Sequence, residues 1–218
     1  MKIKYLILLF LLSTTVCLEA QEVVNLSHYV FSDFQPGVVL LKSGVRNNAK
    51  LNYNAASEEM VFDDNGKILA IADALLPQID TVFVANEKFI RVNKKFVKIL
   101  IDKPDVDLYV EHKCKLIPPG KPAAYGGTSQ ISSTTSYSSI LSDGGVYNLK
   151  LPDDYKIIPY NVFWLNRNGK LQSFSNLGQL KKIYRDKKKL ISDYLKKNEV
   201  KLTNEKSVAD TIAYLENN

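Results

Sequence analysis

His28, His112, Cys17 and Cys114 are the only histidines and cysteines in a chain of 218 residues, so nucleophilic or transition-metal chemistry has few side chains to draw on. Nucleophilic catalysis needs a nucleophile beside a base that is itself oriented. His112 and Cys114 lie two residues apart, and on a strand that spacing puts both side chains on one face. The same face carries Leu108, Val110 and Leu116, which favours a satisfied core histidine and a cysteine acting as a small hydrophobe. No Gly-x-Ser-x-Gly elbow singles out one of the serines as a nucleophile. The histidines and cysteines supply no closed tetrahedral set for zinc. Asp63-Asp64-Asn65-Gly66 has oxygen ligands before a glycine but lacks the alternating spacing and distal Glu of a calcium loop, so it reads as a hairpin turn. Gly126-Gly127 precedes Thr-Ser rather than Lys-Ser/Thr, which leaves nucleotide binding unsupported. No catalytic residue, metal or cofactor is expected. Paired carboxylates for hydrolysis leave no local signature, and they keep an enzymatic alternative open.

One stretch could contact a ligand. Gly126 to Gly145 holds seven Ser, three Thr and four Gly with Asp143 as its single charge, and Pro118, Pro119 and Pro122 stiffen its entry. Long loops inside compact domains are commonly functional or disordered. A solvated linker competes with a ligand loop; in the second case Tyr125, Thr128, Ser129 and Tyr137 are the candidate ligand-binding residues.

The elements that must position these residues are short β-branched and aromatic runs separated by turn signals, the pattern of an antiparallel sheet. Strands are expected at 38–41, 50–53, 60–62, 67–71, 81–84, 88–92, 96–101, 107–117, 146–151, 161–165 and 170–174. Asn65-Gly66 and Asn168-Gly169 mark hairpins, because both residue types tolerate the positive φ of a type I′ turn. In the 107–117 run Tyr109, Glu111, Lys113 and Lys115 alternate with the apolar set and are expected on a wet face. Beyond Phe174 the period lengthens: Leu177, Leu180, Ile183, Tyr184, Leu190, Ile191, Tyr194 and Leu195 form a helical stripe, and Asp186 is a candidate cap dividing it. A last helix is expected from Glu205 to about Leu215, capped by Asn204, with Val208, Ile212 and Leu215 on its apolar face.

Lys2 and Lys4 precede the apolar run Tyr5 to Leu12, which is too short to span a bilayer and reads as a secretory signal over residues 1–20. Cleavage is expected after Ala20, leaving Cys114 as the one cysteine. Cys17 offers a lipidation alternative, but Thr14-Thr15-Val16 lacks the Leu and small residue of a lipobox. The net charge of +6 is uneven. Residues 181–218 hold ten Lys/Arg against six acids. That cluster is a solvated face interleaved with acids or a surface for peripheral contact with anionic lipid; nucleic acid is not an expected partner of an exported protein.

The runs Gly37-Val-Val-Leu-Leu-Lys-Ser-Gly44, Leu51-Asn-Tyr-Asn54, Met60-Val-Phe62, Ile79-Asp-Thr-Val-Phe-Val84, Lys88-Phe89 and Leu108-Tyr-Val110 resemble uncharacterised exported proteins of Bacteroidota. The ending Lys187-Lys-Lys-Leu-Ile-Ser-Asp-Tyr-Leu-Lys-Lys-Asn198 looks like the tails of such proteins. The resemblance implies a periplasmic or outer-membrane-associated location and no assigned activity. The expectation is an α+β protein: a signal at 1–20, a β-rich domain at 21–174 with an antiparallel sheet or open barrel, and amphipathic helices at 175–218 packed on it. Its role is expected to be binding or structural, with a small ligand or an envelope protein as partner and an envelope hydrolase as the alternative.

Overall fold

The computed structural model describes residues 28–117, 121–122, 128–129 and 156–218; the expected signal, Cys17 and the expected strand at 146–151 lie outside them. The chain forms β1 (Gln35–Leu41), β2 (Arg46–Asn54), β3 (Glu59–Asp64), β4 (Lys67–Ala70), β5 (Ile79–Val84), β6 (Glu87–Val92), β7 (Lys95–Lys103) and β8 (Val106–Ile117). Two short strands, β9 (Lys121–Pro122) and β10 (Thr128–Ser129), pair with each other, and β11 (Lys156–Arg167) and β12 (Lys170–Phe174) complete the strands. Helices α1 (Leu177–Ile183), α2 (Lys188–Lys197) and α3 (Glu205–Asn217) follow, so the fold is α+β as expected.

Ten strands make one antiparallel sheet in the order β4-β3-β2-β1-β5-β6-β7-β8-β11-β12. This is two meanders joined where β1 pairs with β5. The β4–β5 connection returns the chain to the free side of β1 and contains a short 3₁₀ turn, Leu76–Gln78. Gly37 is required at that junction, since a Cβ there would stand 2.5 Å from the Phe83 carbonyl oxygen and 2.7 Å from Leu51. Both Asn-Gly turns adopt positive φ, at Asn65 (52°) and Gly66 (87°) and at Asn168 (51°) and Gly169 (76°). Asn93 (49°) and Lys94 (66°) make a further such turn between β6 and β7 without the glycine that would have announced it.

The sheet curls at the β1–β3 end. The ladder between β7 and β8 reaches Lys98 opposite Val110, leaving the remainder of β8 free on that side. The β2–β3 turn fills part of the space, with the Cys114 N–H donating to the Ala55 carbonyl at 3.1 Å. Residues 28–31 run antiparallel beside the end of β2, with the Val30 N–H donating to the Tyr53 carbonyl at 3.0 Å and the Ala55 N–H to the His28 carbonyl at 2.8 Å. Asn52 receives the Phe31 N–H at 3.1 Å and donates to the Phe31 carbonyl at 2.8 Å, so a buried amide is satisfied by backbone rather than left bare.

Two cores result. Leu51, Tyr53, Met60, Val82, Val84 and Phe89 are the heart of the first, which also takes Cys114 and Leu116 from β8. The second joins Leu108, Val110, Phe163 and Phe174 to Leu180, Ile191, Val208 and Ile212 of the helices. Burying one such side chain contributes about 1.5–3 kcal/mol, which is why the helices stay on the sheet despite their basic outer faces.

Asn204 caps α3 as expected, accepting from the Ser207 N–H at 3.0 Å. Asp186 does not cap α2. It lies in a 3₁₀ turn, Arg185–Lys187, where its carboxylate takes both guanidinium NH2 groups of Arg167 at 3.2 and 2.9 Å. A fixed bidentate cation outcompetes the free N–H groups of a short helix. Asn176 caps α1 by accepting from the Gln179 N–H at 2.9 Å.

Candidate functional site

On the face of the sheet away from the helices, β6, β7 and β8 form the floor of an open groove of about 650 Å³. Ile90, Ile99 and Tyr109 line it and are all half-buried. Ile99 stands opposite Tyr109 in the β7–β8 register, on the face opposite to Lys98 and Val110. Lys42 after β1, together with Leu76 and Pro77 of the 3₁₀ turn, lines the groove as well. The β4–β5 connection, which the topology makes long, thus supplies part of the wall. Burial and the neighbouring Asp107 push the Tyr109 phenol up to about 12, so it stays a neutral hydroxyl across the physiological range. A groove of this size, apolar below and polar at its edges, suits a small ligand.

The pair that could have been nucleophile and base is closed off. Cys114 is buried, and burial followed by the charge of Glu58 raises its thiol to about 11, leaving little thiolate at neutral pH. The His112 ring lies 6.2 Å from that of Tyr53, and its Nε2 is 3.4 Å from a carboxylate oxygen of Glu205. Burial lowers the His112 pKa; Glu205 opposes this and Lys98 reinforces it. Glu205 lies in the first turn of α3 and also pairs with Lys98 at 2.6 Å, while Lys98 reaches Glu87 at 3.1 Å. These charges fasten the start of α3 to β6, β7 and β8.

On the opposite face, the expected wet side of β8 is only partly wet. Glu111 is 3% exposed, because Trp164 on β11 covers it and donates its indole N–H at 3.0 Å. Lys113 reaches Glu111 at 3.3 Å and Glu58 at 2.5 Å, and Lys95 also pairs with Glu58. Period-two reading placed Glu111 on the correct face but could not foresee that a tryptophan 53 residues away would lie across it. The result is two carboxylates converging on one lysine. Burial pushes the Glu58 carboxyl up, and the hydrogen bonds from Lys113 and Lys95 more than offset this, so its pKa is lowered. That arrangement holds an ionised carboxylate in place; a general acid needs the opposite shift.

Of the loop residues singled out in the sequence, Thr128 and Ser129 form β10, pairing with Pro122 and Lys121, and Tyr125 and Tyr137 lie outside the described residues. Sequence reading missed the groove residues because each is an ordinary strand or turn residue; only the cross-strand register brings Ile90, Ile99 and Tyr109 together. In the basic tail, Lys187 donates to the Leu215 carbonyl near the end of α3, so it ties the 3₁₀ turn before α2 to α3. Among the described residues no helix is long and apolar enough to cross a membrane, and no three His, Cys, Asp or Glu gather as a metal site. Comparison of the chain with family models, curated proteins and solved structures finds no match.

Proposed function

We propose that this is an exported, non-catalytic protein of the cell envelope that binds a ligand in the groove formed by β6, β7 and β8. The observation carrying this reading is the groove itself: half-buried Ile90, Ile99 and Tyr109 form a floor that nothing among the described residues covers. A ligand lying on this floor would take the remaining apolar area of these half-buried side chains out of water, which favours binding. The sealed thiol of Cys114 and the lysine-bound carboxylate of Glu58 support the non-catalytic part. The amino-terminal Lys2, Lys4 and apolar run support export.

Native and denatured mass measurements on protein purified from its own cell envelope test the reading. The expected denatured mass begins at Gln21, with additional mass in the native spectrum that Ile99→Gln abolishes while the fold, judged by circular dichroism, persists. A full-length mass with the signal retained would sink export. Bound mass unaffected by Ile99→Gln would place the ligand elsewhere.

A further inference from the structure

We infer that the groove selects an anionic amphiphile, a molecule with a carboxylate or phosphate head on an apolar body; this rests on the groove being the binding site. The apolar part follows from the floor, where Ile90, Ile99 and Tyr109 stand on three adjacent strands. The anionic part follows from how the charges around that floor are engaged. Lys42, Lys88, Arg91 and Lys94 line the groove with only two acids, Asp80 and Asp102.

Asp102 pairs with Lys88 at 3.5 Å, whereas Asp80 accepts from the neutral Thr81 hydroxyl at 2.9 Å and keeps its charge, leaving three cations against one carboxylate. Two of those cations are also held by neutral partners. Lys42 donates to the Pro77 carbonyl at 2.8 Å, and Arg91 donates to the Lys94 carbonyl at 3.0 Å. A neutral carbonyl fixes a cation in place without cancelling its charge, whereas a carboxylate does both. The Arg91 guanidinium is further held 5.8 Å from the Phe96 ring centroid, so little freedom remains to be lost on binding. Among the described residues neither Lys42, Arg91 nor Lys94 has an acidic partner within ion-pair distance. The groove therefore carries a net positive charge, positioned at Lys42 and Arg91, beside an apolar floor. A volume of about 650 Å³ gives room for a small amphiphile to lie along the open groove.

The chain provides its own reporter. Its single tryptophan, Trp164, stands opposite Tyr109 in the β8–β11 register, beside the groove. Mature protein is titrated with decanoate, decyl phosphate and decyltrimethylammonium, each below its micelle concentration, following Trp164 emission at low and high salt. Decanoate or decyl phosphate is expected to bind, more weakly at high salt, and decyltrimethylammonium is not; which anion binds more tightly identifies the head group. The exposed double substitution Lys42→Gln/Lys94→Gln is expected to weaken anion binding about tenfold, the scale of losing charge-assisted contacts at a partly wet site. Ile99→Gln is expected to weaken it as well. Equal binding of the cationic amphiphile, or no effect of the lysine substitutions, overturns the anionic inference while leaving the groove as a site. If no amphiphile binds, the inference falls; a dimer dissociated by Ile99→Gln would then identify a second copy as the occupant.

Discussion

In the β1–β6 half of the sheet the apolar face is covered by the sheet's own curl, whereas in the β8–β12 half three helices cover it. The first half buries Tyr53 against Phe89, their rings stacked 6.2 Å apart, and closes when the Ala55 carbonyl reaches Cys114. The second half stacks Phe163 on Phe174 at 5.2 Å and closes them under Leu180, Ile191 and Ile212. Strand β8 belongs to both, sending Leu108 and Val110 into one core and Cys114 and Leu116 into the other. His112 falls between these pairs, where the Glu205–Lys98 charges lie. Curling and capping each cover one face. The other face of β6–β8 keeps its open groove because neither device reaches it.

The comparison is broken most forcefully from inside each core. Phe89→Ala is expected to cost about 3–5 kcal/mol and Ile212→Ala about 2–5 kcal/mol, since both residues are essentially inaccessible and leave cavities in closed surroundings. Because β8 is shared, urea unfolding followed by Trp164 emission and by far-ultraviolet circular dichroism should remain one coincident transition in both variants. An Ile212→Ala protein whose helices melt first, with the curled half still folded, would show that the two cores are separate cooperative units.

The seam between the cores comes next. Glu205→Gln removes the carboxylate facing Lys98 and His112 and is expected to cost about 1–3 kcal/mol, limited because Lys98 keeps Glu87 as a partner. The same site sets an acid limit on stability. Burial lowers the folded pKa of His112, so between that value and the unfolded value of about 6.5 the unfolded chain binds more protons. Stability is therefore complete above about pH 6.5 and declines as pH falls toward the folded pKa. His28, also lowered by burial, acts in the same direction. Unfolding midpoints measured across this window should fall less steeply in His112→Gln than in the native protein, with His28 supplying the remainder. Identical slopes would mean that His112 does not titrate differently on folding.

The difference between the halves was only partly legible in the sequence. Strand positions were readable because β-branched and aromatic runs are separated by turn residues, and the last helix was readable because Asn204 precedes a clean stripe of Val208, Ile212 and Leu215. Those are local signals. The curl is not local: it depends on where the β7–β8 ladder stops and on a backbone carbonyl from the β2–β3 turn. Asp186 illustrates the limit, since its local role as a cap lost to Arg167, 19 residues earlier and on another element. The groove was illegible for the same reason, as its floor comes from three strands and part of its wall from the β4–β5 connection.

Smaller effects sharpen the contrast between anchored and free polar groups. Asn204→Ala, which frees the Ser207 N–H at the start of α3, is expected to lower stability by about 1 kcal/mol by thermal or urea unfolding. Lys88→Ala should cost less than about 0.5 kcal/mol. Its ion pair with Asp102 is 3.5 Å long, and the two side chains are 44% and 67% exposed, so solvent screens the attraction and ordering both side chains offsets what is left. A loss well above that in urea unfolding would mean that the groove edge helps to hold β6 on β7. A negligible loss would leave Lys88 and Asp102 free to separate as a ligand enters, unlike Glu205, which the fold needs where it is.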